Sequence, residues 1–278
     1  MTDILDYQNL NACLTSDSID FAQASPFPHI VIDGFLVSAQ AESLLSEFKK
    51  PPQDGGKWNE YSHYNERKSG LTRTDAMGPA TRSIINELSS DKFLKWLSDV
   101  SGVQQLLADP DLDGGGLHEI KPGGFLNMHT DFLSHTKRPH WRRELNLLLY
   151  LNKDWQSGWH GELELWDDQM KSPAALIEPI FNRCVIFHTT GKSFHGHPVP
   201  LVCPEGVTRK SLALYYFSDT GAPLKLVPTH YKAKPEESTL HHTLVAIDRW
   251  LVRGYSYLKR YTPMNDRFLS KLMRRKSD

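Results

Sequence analysis

The apolar residues of the chain change their spacing near its middle. Before that point they recur at helical spacing in two neighbouring segments, Pro79 to Leu88 and a second segment that Ser90 caps and Gly102 ends. Beyond Pro110, apolar and polar residues alternate in short runs that turn residues separate. The sequence therefore predicts helices in the first part of the chain and strands in the second.

Seven strands are predicted from this alternation. They cover residues 117–121, 125–131, 144–151, 162–166, 176–180, 183–188 and 210–217. An earlier strand is predicted at 28–33 and a helix at 39–49, and helical spacing returns from Leu240. The polar stretch 51–74 is predicted to be a long loop. Helices followed by a run of short strands indicate an α+β fold whose strands form a sandwich or a barrel.

The composition is typical of a globular protein, since 39% of the 278 residues are hydrophobic and 23% are charged. No apolar run approaches the roughly 18 residues that a membrane span needs, and the polar N-terminus does not resemble a secretory signal. Cys13, Cys184 and Cys203 lie far apart, which suits neither a disulfide framework nor a zinc ribbon. Scattered thiols favour a reducing compartment, so we expect a cytoplasmic protein.

Charge is distributed unevenly along the chain. The net charge is −1, but the segment from Arg249 to Asp278 carries nine basic and two acidic residues, so it holds +7 and leaves −8 for the remainder. A net charge near zero gives no overall field that favours nucleic acid. The basic segment also contains aromatic residues such as Trp250, and Gly254 and Pro263 are expected to interrupt its helix. We expect it either to cover the barrel as an ordinary helix or to make a peripheral contact with an acidic surface.

A pair of candidate metal ligands occurs in the second strand of this run. His129 and Asp131 are two residues apart, so an extended backbone directs both side chains to one face. A later segment adds a third ligand, either His195 or His197, because alternation directs both histidines to the same face. Two imidazoles and one carboxylate on one face of an octahedral ion form the triad of non-haem iron(II) oxygenases.

A candidate anion anchor follows in the last strand. Arg209 and Ser211 share one strand face, and a guanidinium with a hydroxyl two residues away suits a carboxylate, although an isolated pair of this kind is usually a surface feature. Asn146 lies in register with the inward positions and is a candidate hydrogen-bond donor to the same ligand. The arginine-rich run from Arg138 to Arg143 has two interpretations, contact with an anionic substrate or a solvated loop.

The stretch from Gly114 to Asp219 resembles the prolyl 4-hydroxylase branch of the Fe(II)- and 2-oxoglutarate-dependent oxygenase superfamily. The matching motifs are Lys121-Pro-Gly-Gly124, Tyr150-Leu-Asn-Lys-Asp-Trp155, Gly161-Glu-Leu163, Ile177-Glu-Pro179 and His195-Gly-His-Pro198. Two residues depart from the family pattern, since Leu126 replaces an aromatic residue and His160 replaces the first glycine of a Gly-Gly pair.

The resemblance implies a fold. A double-stranded β-helix (jelly-roll) core is expected, with N-terminal supporting helices and a C-terminal helical tail. The oxygenase domain is expected at 1–239 with its core at about 114–219, and the basic helical tail at 240–278. The family pattern also places the third ligand at His195, and a bend at Gly196 is expected to carry His197 outward, toward the surface or the substrate side.

The resemblance also implies the ligands and the reaction. His129, Asp131 and His195 match the iron ligands, and Arg209 and Tyr150 match residues that bind the 5-carboxylate of 2-oxoglutarate. The expected enzyme is a dioxygenase that uses Fe(II), 2-oxoglutarate and O2, with ascorbate as an optional addition. It would hydroxylate a prolyl residue or a small metabolite and release succinate and CO2. The alternative from another class is a non-catalytic metal-binding β-barrel module.

Overall fold

The computed structural model describes residues 3–15, 21–48, 52–53 and 55–261. Two predictions therefore fall partly outside the described residues. They are the end of the helix that was expected to reach Lys49, and the part of the basic tail beyond residue 261, including Pro263.

Five α-helices occur in the described residues. They are α1 Tyr7–Thr15, α2 Ser38–Phe48, α3 Pro79–Leu88, α4 Asp91–Ser101 and α5 Thr239–Tyr261, with short 3-10 turns at Phe21–Gln23, Thr74–Ala76 and Ser157–Trp159. The two helices predicted between residues 79 and 102 are confirmed. Ser90 accepts a hydrogen bond from the backbone N–H of Phe93 (3.3 Å), and Gly102 ends α4 with a φ of 75°.

Thirteen strands occur in the same residues and form one continuous sheet that curls on itself. They are β1 His29–Asp33, β2 Asn59–His63, β3 Glu66–Leu71, β4 Leu107–Ala108, β5 Gly116–Ile120, β6 Phe125–Thr130, β7 Trp141–Tyr150, β8 Leu163–Trp166, β9 Pro173–Ile177, β10 Arg183–His188, β11 Phe194–His197, β12 Arg209–Asp219 and β13 His230–Tyr231. The strand predicted at 176–180 lies at 173–177, because Pro179 has no N–H to pair with a neighbour.

The strand order is that of a jelly roll. One half of the sheet has the order β10-β7-β12-β5, the other has the order β6-β11-β8-β9, and all neighbouring pairs are antiparallel. The chain crosses between the halves at nearly every connection from β5 to β12, which folds eight strands into a barrel. The predicted double-stranded β-helix core is confirmed.

The N-terminal part of the chain closes one side of this barrel. β3 pairs with β5 through residues 69–71 and with β6 through Glu66 and Arg67, so it joins the two halves. The prediction of a loop over 51–74 is wrong, because β2 and β3 form a hairpin within it. The polar sequence of β3 does not show apolar alternation because Glu66 and Lys68 form an ion pair (2.9 Å) that is largely enclosed.

The supporting helices pack on the outer face of the first half of the sheet. Leu145, Leu147 and Leu149 of β7 share a buried cluster with residues of α2, α3 and α4. The carboxylate of Glu47 accepts hydrogen bonds from two backbone N–H groups at the start of α3, each at 2.9 Å, which joins α3 to α2. The alternate residues of β7, such as Tyr150, belong to a separate apolar cluster with residues of β8 and β10. One face of β7 therefore packs against the helices, and the other face lines the barrel interior.

The helix α5 is fixed to the hairpin by Asp248. Its Oδ2 lies 2.8 Å from Nδ1 of His63 and accepts a hydrogen bond from Asn65 at 2.5 Å, while Nε2 of His63 lies 2.9 Å from Glu66. Gly254 does not interrupt the helix, contrary to the expectation from sequence. Within the part of the chain that the structure describes, no helix is both long and apolar enough to cross a bilayer.

Candidate active site

Three side chains converge where β6 and β11 pair. The antiparallel register places His195 directly opposite His129, and Asp131 follows immediately after the end of β6. Each of the three residues is less than a tenth exposed. Sheet closure therefore brings two histidines from distant parts of the sequence to the same carboxylate.

The backbone orients the two imidazoles. Nδ1 of His129 lies 2.9 Å from the carbonyl oxygen of Asn127. In the same way, Nδ1 of His195 lies 3.0 Å from the carbonyl oxygen of Ser193. A proton on each Nδ1 leaves each Nε2 as a lone pair, and these atoms lie 3.7 and 3.3 Å from the oxygens of Asp131. One ligand atom from each residue lies within 4.8 Å of the others, so the group could hold one metal ion.

Asp131 is held as a carboxylate by two neighbours on β7. Nδ2 of Asn146 donates to its Oδ2 at 2.6 Å, and Nη2 of Arg143 lies 3.1 Å from the same oxygen. Burial alone would raise the pKa of this carboxyl, but the positive charge of Arg143 holds that pKa well below its usual range. The form that binds a metal is therefore present at neutral pH.

Burial and the neighbouring His195 lower the pKa of His129 to about 4. The ring is therefore neutral at physiological pH, and its Nε2 carries no proton, as a metal ligand requires. Imidazole nitrogens together with one carboxylate form the donor set that suits Fe(II) and leaves coordination positions for further ligands. The residues present fit that ion.

A second polar group lies on β7 and β12. The buried Arg209 donates from Nε to the carbonyl oxygen of Gly161 (2.8 Å) and from Nη2 to the hydroxyl of Tyr150 (3.3 Å). Ser211 is buried two residues further along the same strand, opposite Tyr150 and His118. Arg209, Tyr150 and Ser211 are thus neighbours, and their contact with 2-oxoglutarate stays a prediction.

His197 lies inside the barrel, which corrects the outward position that we expected. It is 3% exposed, and neither ring nitrogen has a hydrogen-bond partner among the described residues. Burial and the positive charges of Arg209 and Lys68 hold the pKa of His197 well below its usual range. The strand β11 stays extended through Gly196 and the register shift is taken up by β6, so alternation directs His197 inward together with His195.

Asn146 is hydrogen-bonded to residues around the proposed metal site. Its Nδ2 is used by Asp131, and its Oδ1 accepts hydrogen bonds from Nε of Arg143 (2.7 Å) and from the hydroxyl of Thr189 (3.1 Å). One N–H group and the oxygen of this amide are therefore used within the protein, and the contact of Asn146 with the cosubstrate stays a prediction.

Arg143 reaches the site through a bulge. The pairing of β7 with β12 shifts near residue 144, so one residue of β7 is extra. This breaks the alternation and directs Arg143 to the same side as Asn146, whereas Leu145 lies in the core beneath the helices. Strict alternation could not find this residue. The only signal in the sequence was its place in the arginine-rich run before an apolar strand.

A second group of candidate metal ligands is already paired with basic side chains. Asp109, Asp111 and His135 lie close enough to share an ion. However, Nη1 of Arg138 lies 3.5 Å from Asp109 and contacts Asp111, and Lys137 pairs with Asp111 at 2.9 Å. The basic side chains balance these carboxylates, so the group at His129 is the better metal site.

Comparison with known proteins identifies the core. Residues 115–217 match the model of the 2OG-Fe(II) oxygenase superfamily. This segment runs from β5 into β12 and contains both polar groups of the barrel. No curated protein sequence matches the chain significantly.

Several solved structures are similar to the chain. A prolyl-4-hydroxylase from Pseudomonas putida has 19% identity and a TM-score of 0.49, over 68% of this chain and 91% of that one. A prolyl hydroxylase from Trichoplax adhaerens, in complex with a hypoxia inducible factor oxygen degradation domain peptide fragment, has 17% identity and a TM-score of 0.47, over 76% and 93%. HygX from Streptomyces hygroscopicus, with iron bound, has 14% identity and a TM-score of 0.42, over 68% and 81%.

The family match and the topology concern the same strands. The matched segment supplies the eight strands of the jelly roll, and the two histidines and the carboxylate converge inside it. Residues 115–217 carry the core of the 2OG-Fe(II) oxygenase superfamily, and the activity that this core supports is that of an Fe(II)- and 2-oxoglutarate-dependent dioxygenase.

Proposed function

We propose that His129, Asp131 and His195 hold the Fe(II) ion of this dioxygenase. The orientation of the imidazoles is the observation that carries the proposal, because both Nδ1 atoms lie against backbone carbonyls and both Nε2 atoms face Asp131. When bound, Fe(II) and 2-oxoglutarate supply the oxidising chemistry, with O2 as oxidant, succinate and CO2 as co-products and a hydroxylated substrate as the outcome.

In this proposal Asn146 and Arg143 position Asp131. The short hydrogen bond from Asn146 fixes one carboxylate oxygen, and the charge of Arg143 keeps the group ionised. Removing a residue that orients a metal ligand typically lowers metal affinity or activity by about 10- to 100-fold. Both residues therefore belong to the proposed metal centre, although neither would touch the ion.

Arg209, Tyr150 and Ser211 would bind the 5-carboxylate of 2-oxoglutarate. The Tyr150 hydroxyl accepts a hydrogen bond from Arg209, so its own proton remains available for a carboxylate oxygen. Gly161 fixes the other side of the guanidinium through its carbonyl oxygen. A buried guanidinium and two hydroxyl groups form a charge-assisted anchor for one end of a dicarboxylate.

Ligand binding tests the proposal directly. At 100 times its Kd, 2-oxoglutarate should add about 2.7 kcal/mol to the free energy of unfolding. We expect this stabilisation, measured by thermal denaturation, only when Fe(II) or Mn(II) is present, and we expect Arg209→Ala to abolish it. The control is Arg73→Ala, which removes a half-exposed arginine that pairs with Asp75 between β3 and α3. Stabilisation that persists in Arg209→Ala would place the anchor elsewhere.

A non-catalytic metal-binding barrel is the rival function. It would bind the metal and yet convert no 2-oxoglutarate. Formation of succinate from 2-oxoglutarate with Fe(II) and ascorbate separates the two, and its absence under conditions where both ligands bind would favour the rival.

The substrate is proposed to be a prolyl residue or a small metabolite. The Trichoplax structure, which holds a peptide, illustrates the first class for that protein. A screen for compounds that accelerate succinate formation would separate the classes.

In the same proposal residues 1–239 form the oxygenase domain and residues 240–278 form a basic helical tail.

We also propose a cytoplasmic location and a peripheral contact of the tail with an anionic membrane surface. Cys184 and Cys203 are free and buried thiols, which agrees with a reducing compartment. On α5, Trp250 and Leu251 are each more than half exposed between Arg249 and Arg253, which is the pattern of an interfacial helix.

A further inference from the structure

The segment that follows the family core returns to the proposed metal site through the strand β13. This strand pairs with β6, and the register places Tyr231 directly opposite His129. The backbone N–H of Lys232 donates to the carbonyl oxygen of Met128 at 2.9 Å, which continues the same pairing. The family match ends at residue 217. A part of the chain outside the matched core therefore borders a proposed iron ligand.

Each proposed histidine ligand has an aromatic ring beside it. The ring centre of His195 lies 4.7 Å from that of Phe187, with 61° between the two planes. The ring centre of His129 lies 5.4 Å from that of Tyr231, with 36° between the planes. A single hydrogen bond at Nδ1 lets an imidazole pivot about that bond, and a packed aromatic neighbour restricts the motion. Phe187 and Tyr231 therefore occupy corresponding places beside the two ligands.

The ring of Tyr231 is itself fixed by residues of three elements. The side chain is 4% exposed and belongs to a buried apolar cluster with Val245 of α5. Its ring centre lies 6.1 Å from that of His63 at 81°, an edge-to-face contact. His63 is in turn bound to Asp248 of α5 and to Glu66 of β3. A buried ring with fixed neighbours can hold a ligand in one orientation before a metal binds.

The ring of Tyr231, and not its hydroxyl, is the part that the structure uses. The hydroxyl makes no hydrogen bond with a described residue, and burial together with the charges of Glu66 and Asp248 raises its pKa well above the usual range. The phenol therefore stays neutral and adds no charge beside the metal ligand. By contrast, the hydroxyl of Tyr216, in the core beneath the helices, donates to the carbonyl oxygen of Leu88 at 3.0 Å.

We propose that Tyr231 is a positioning residue of the metal centre, whose ring holds the imidazole of His129 in the orientation that binds Fe(II). This rests on the proposed function, because it takes His129 as an iron ligand. An imidazole that is fixed in advance loses little further freedom on metal binding, so its affinity for the metal is higher. The segment that carries β13 and α5 is therefore part of the metal centre, although it lies outside the matched core.

Metal affinity tests this role in variants of the full chain. The Kd for Mn(II) is measured by electron paramagnetic resonance without cosubstrate, and stability is measured by thermal denaturation without metal. Tyr231→Leu removes the ring and should raise the Kd by about threefold to tenfold, the size of one aromatic contact. Tyr231→Phe keeps the ring and should bind Mn(II) as the wild type does. The matched control is Tyr216→Leu at a similarly buried tyrosine, which should lower stability and leave the Kd unchanged.

Each result supports or overturns the proposal. An unchanged Kd in Tyr231→Leu overturns it, and so does a Tyr231→Phe variant that binds as weakly as Tyr231→Leu, since the hydroxyl would then be the essential group. An equal loss in Tyr216→Leu also overturns it, because the loss would follow stability alone. A wild type that binds no Mn(II), or binds it equally well after His129→Ala, would instead refute the proposed metal site. If Tyr231→Leu does not fold, Tyr231→Met takes its place with the same expected Kd, because its unbranched side chain fills irregular space without a ring.

Discussion

Two histidines on β11 differ in what they can bind, although both face the barrel interior. His195 lies opposite His129 and directs its Nε2 toward Asp131. His197 has both nitrogens unpaired, and Arg209 is among the charges that lower its pKa. In the proposed site the first histidine would therefore bind the metal, and the second would lie toward the proposed cosubstrate anchor at Arg209.

Alanine substitutions should separate these roles. We expect His195→Ala to abolish Mn(II) binding, measured by electron paramagnetic resonance, because it removes one of three ligands. His197→Ala should keep Mn(II) binding and weaken 2-oxoglutarate binding up to about tenfold, the size expected for one hydrogen bond. Loss of the metal in His197→Ala, with retention in His195→Ala, would make His197 the ligand.

The residues that sequence reasoning found and missed differ in a physical way. His129 and Arg209 lie on strands and Asp131 follows directly after one, so a period of two directs their side chains. Arg143 lies directly before a bulge at residue 144, and no local pattern marks where an extra residue will be inserted. His197 was assigned outward because Gly196 permits a bend that the strand does not make. Departures from regular strand geometry therefore set the limit of the prediction.

At the scale of elements, the hairpin of β2 and β3 shows the same limit. Its polar residues read as a loop because their partners are charged groups far away in the sequence, such as Asp248 on α5. Tertiary ion pairs of this kind leave no periodic signal. The helices between 79 and 102 were predictable because caps and apolar spacing are local.

The contact of His63 with Asp248 predicts that the docking of α5 depends on pH. Burial alone would lower the pKa of His63, but hydrogen bonds with Asp248 and Glu66 raise it to about 9. Because this value exceeds the unfolded value of about 6.5, the stabilisation is complete below pH 6.5 and is lost as the pH rises through 9. We expect a loss of up to about 3 kcal/mol, measured by urea unfolding as the difference between wild type and His63→Gln.

Two further variants delimit this prediction. Asp248→Asn removes the charged partner and should show a smaller pH dependence than the wild type. His188→Gln removes a histidine that lies 3.5 Å from Glu144 on another part of the sheet, and it should follow the wild type. If the difference between wild type and His63→Gln is constant from pH 6 to pH 10, His63 is not charged in the folded protein.

At the scale of the whole molecule, the tail and the remainder of the chain differ in the sign of their net charge. The segment from residue 249 to the end holds +7 and the remainder −8. We expect the protein to sediment with vesicles that contain anionic lipid at low salt and to be released at high salt, because a screened attraction weakens with ionic strength.

The exposed apolar face of α5 supplies the matched variants for this experiment. Trp250 is 65% exposed on α5, and Leu176 is 62% exposed on β9. Trp250→Ser should weaken vesicle binding, whereas Leu176→Ser should leave it unchanged. Sedimentation that is absent at low salt would exclude the membrane contact and leave α5 as a helix that covers the barrel.

The strand β3 determines whether a shorter fragment of the chain could keep its strand edges paired. A fragment limited to residues 115–217 would contain every proposed ligand, yet β5 and β6 would lose the partner that spans them. Both strands would then present unpaired N–H and C=O groups along open edges, which recruit strands from other copies. We therefore expect such a fragment to self-associate, because the hairpin at residues 59–71 covers these edges in the longer chain.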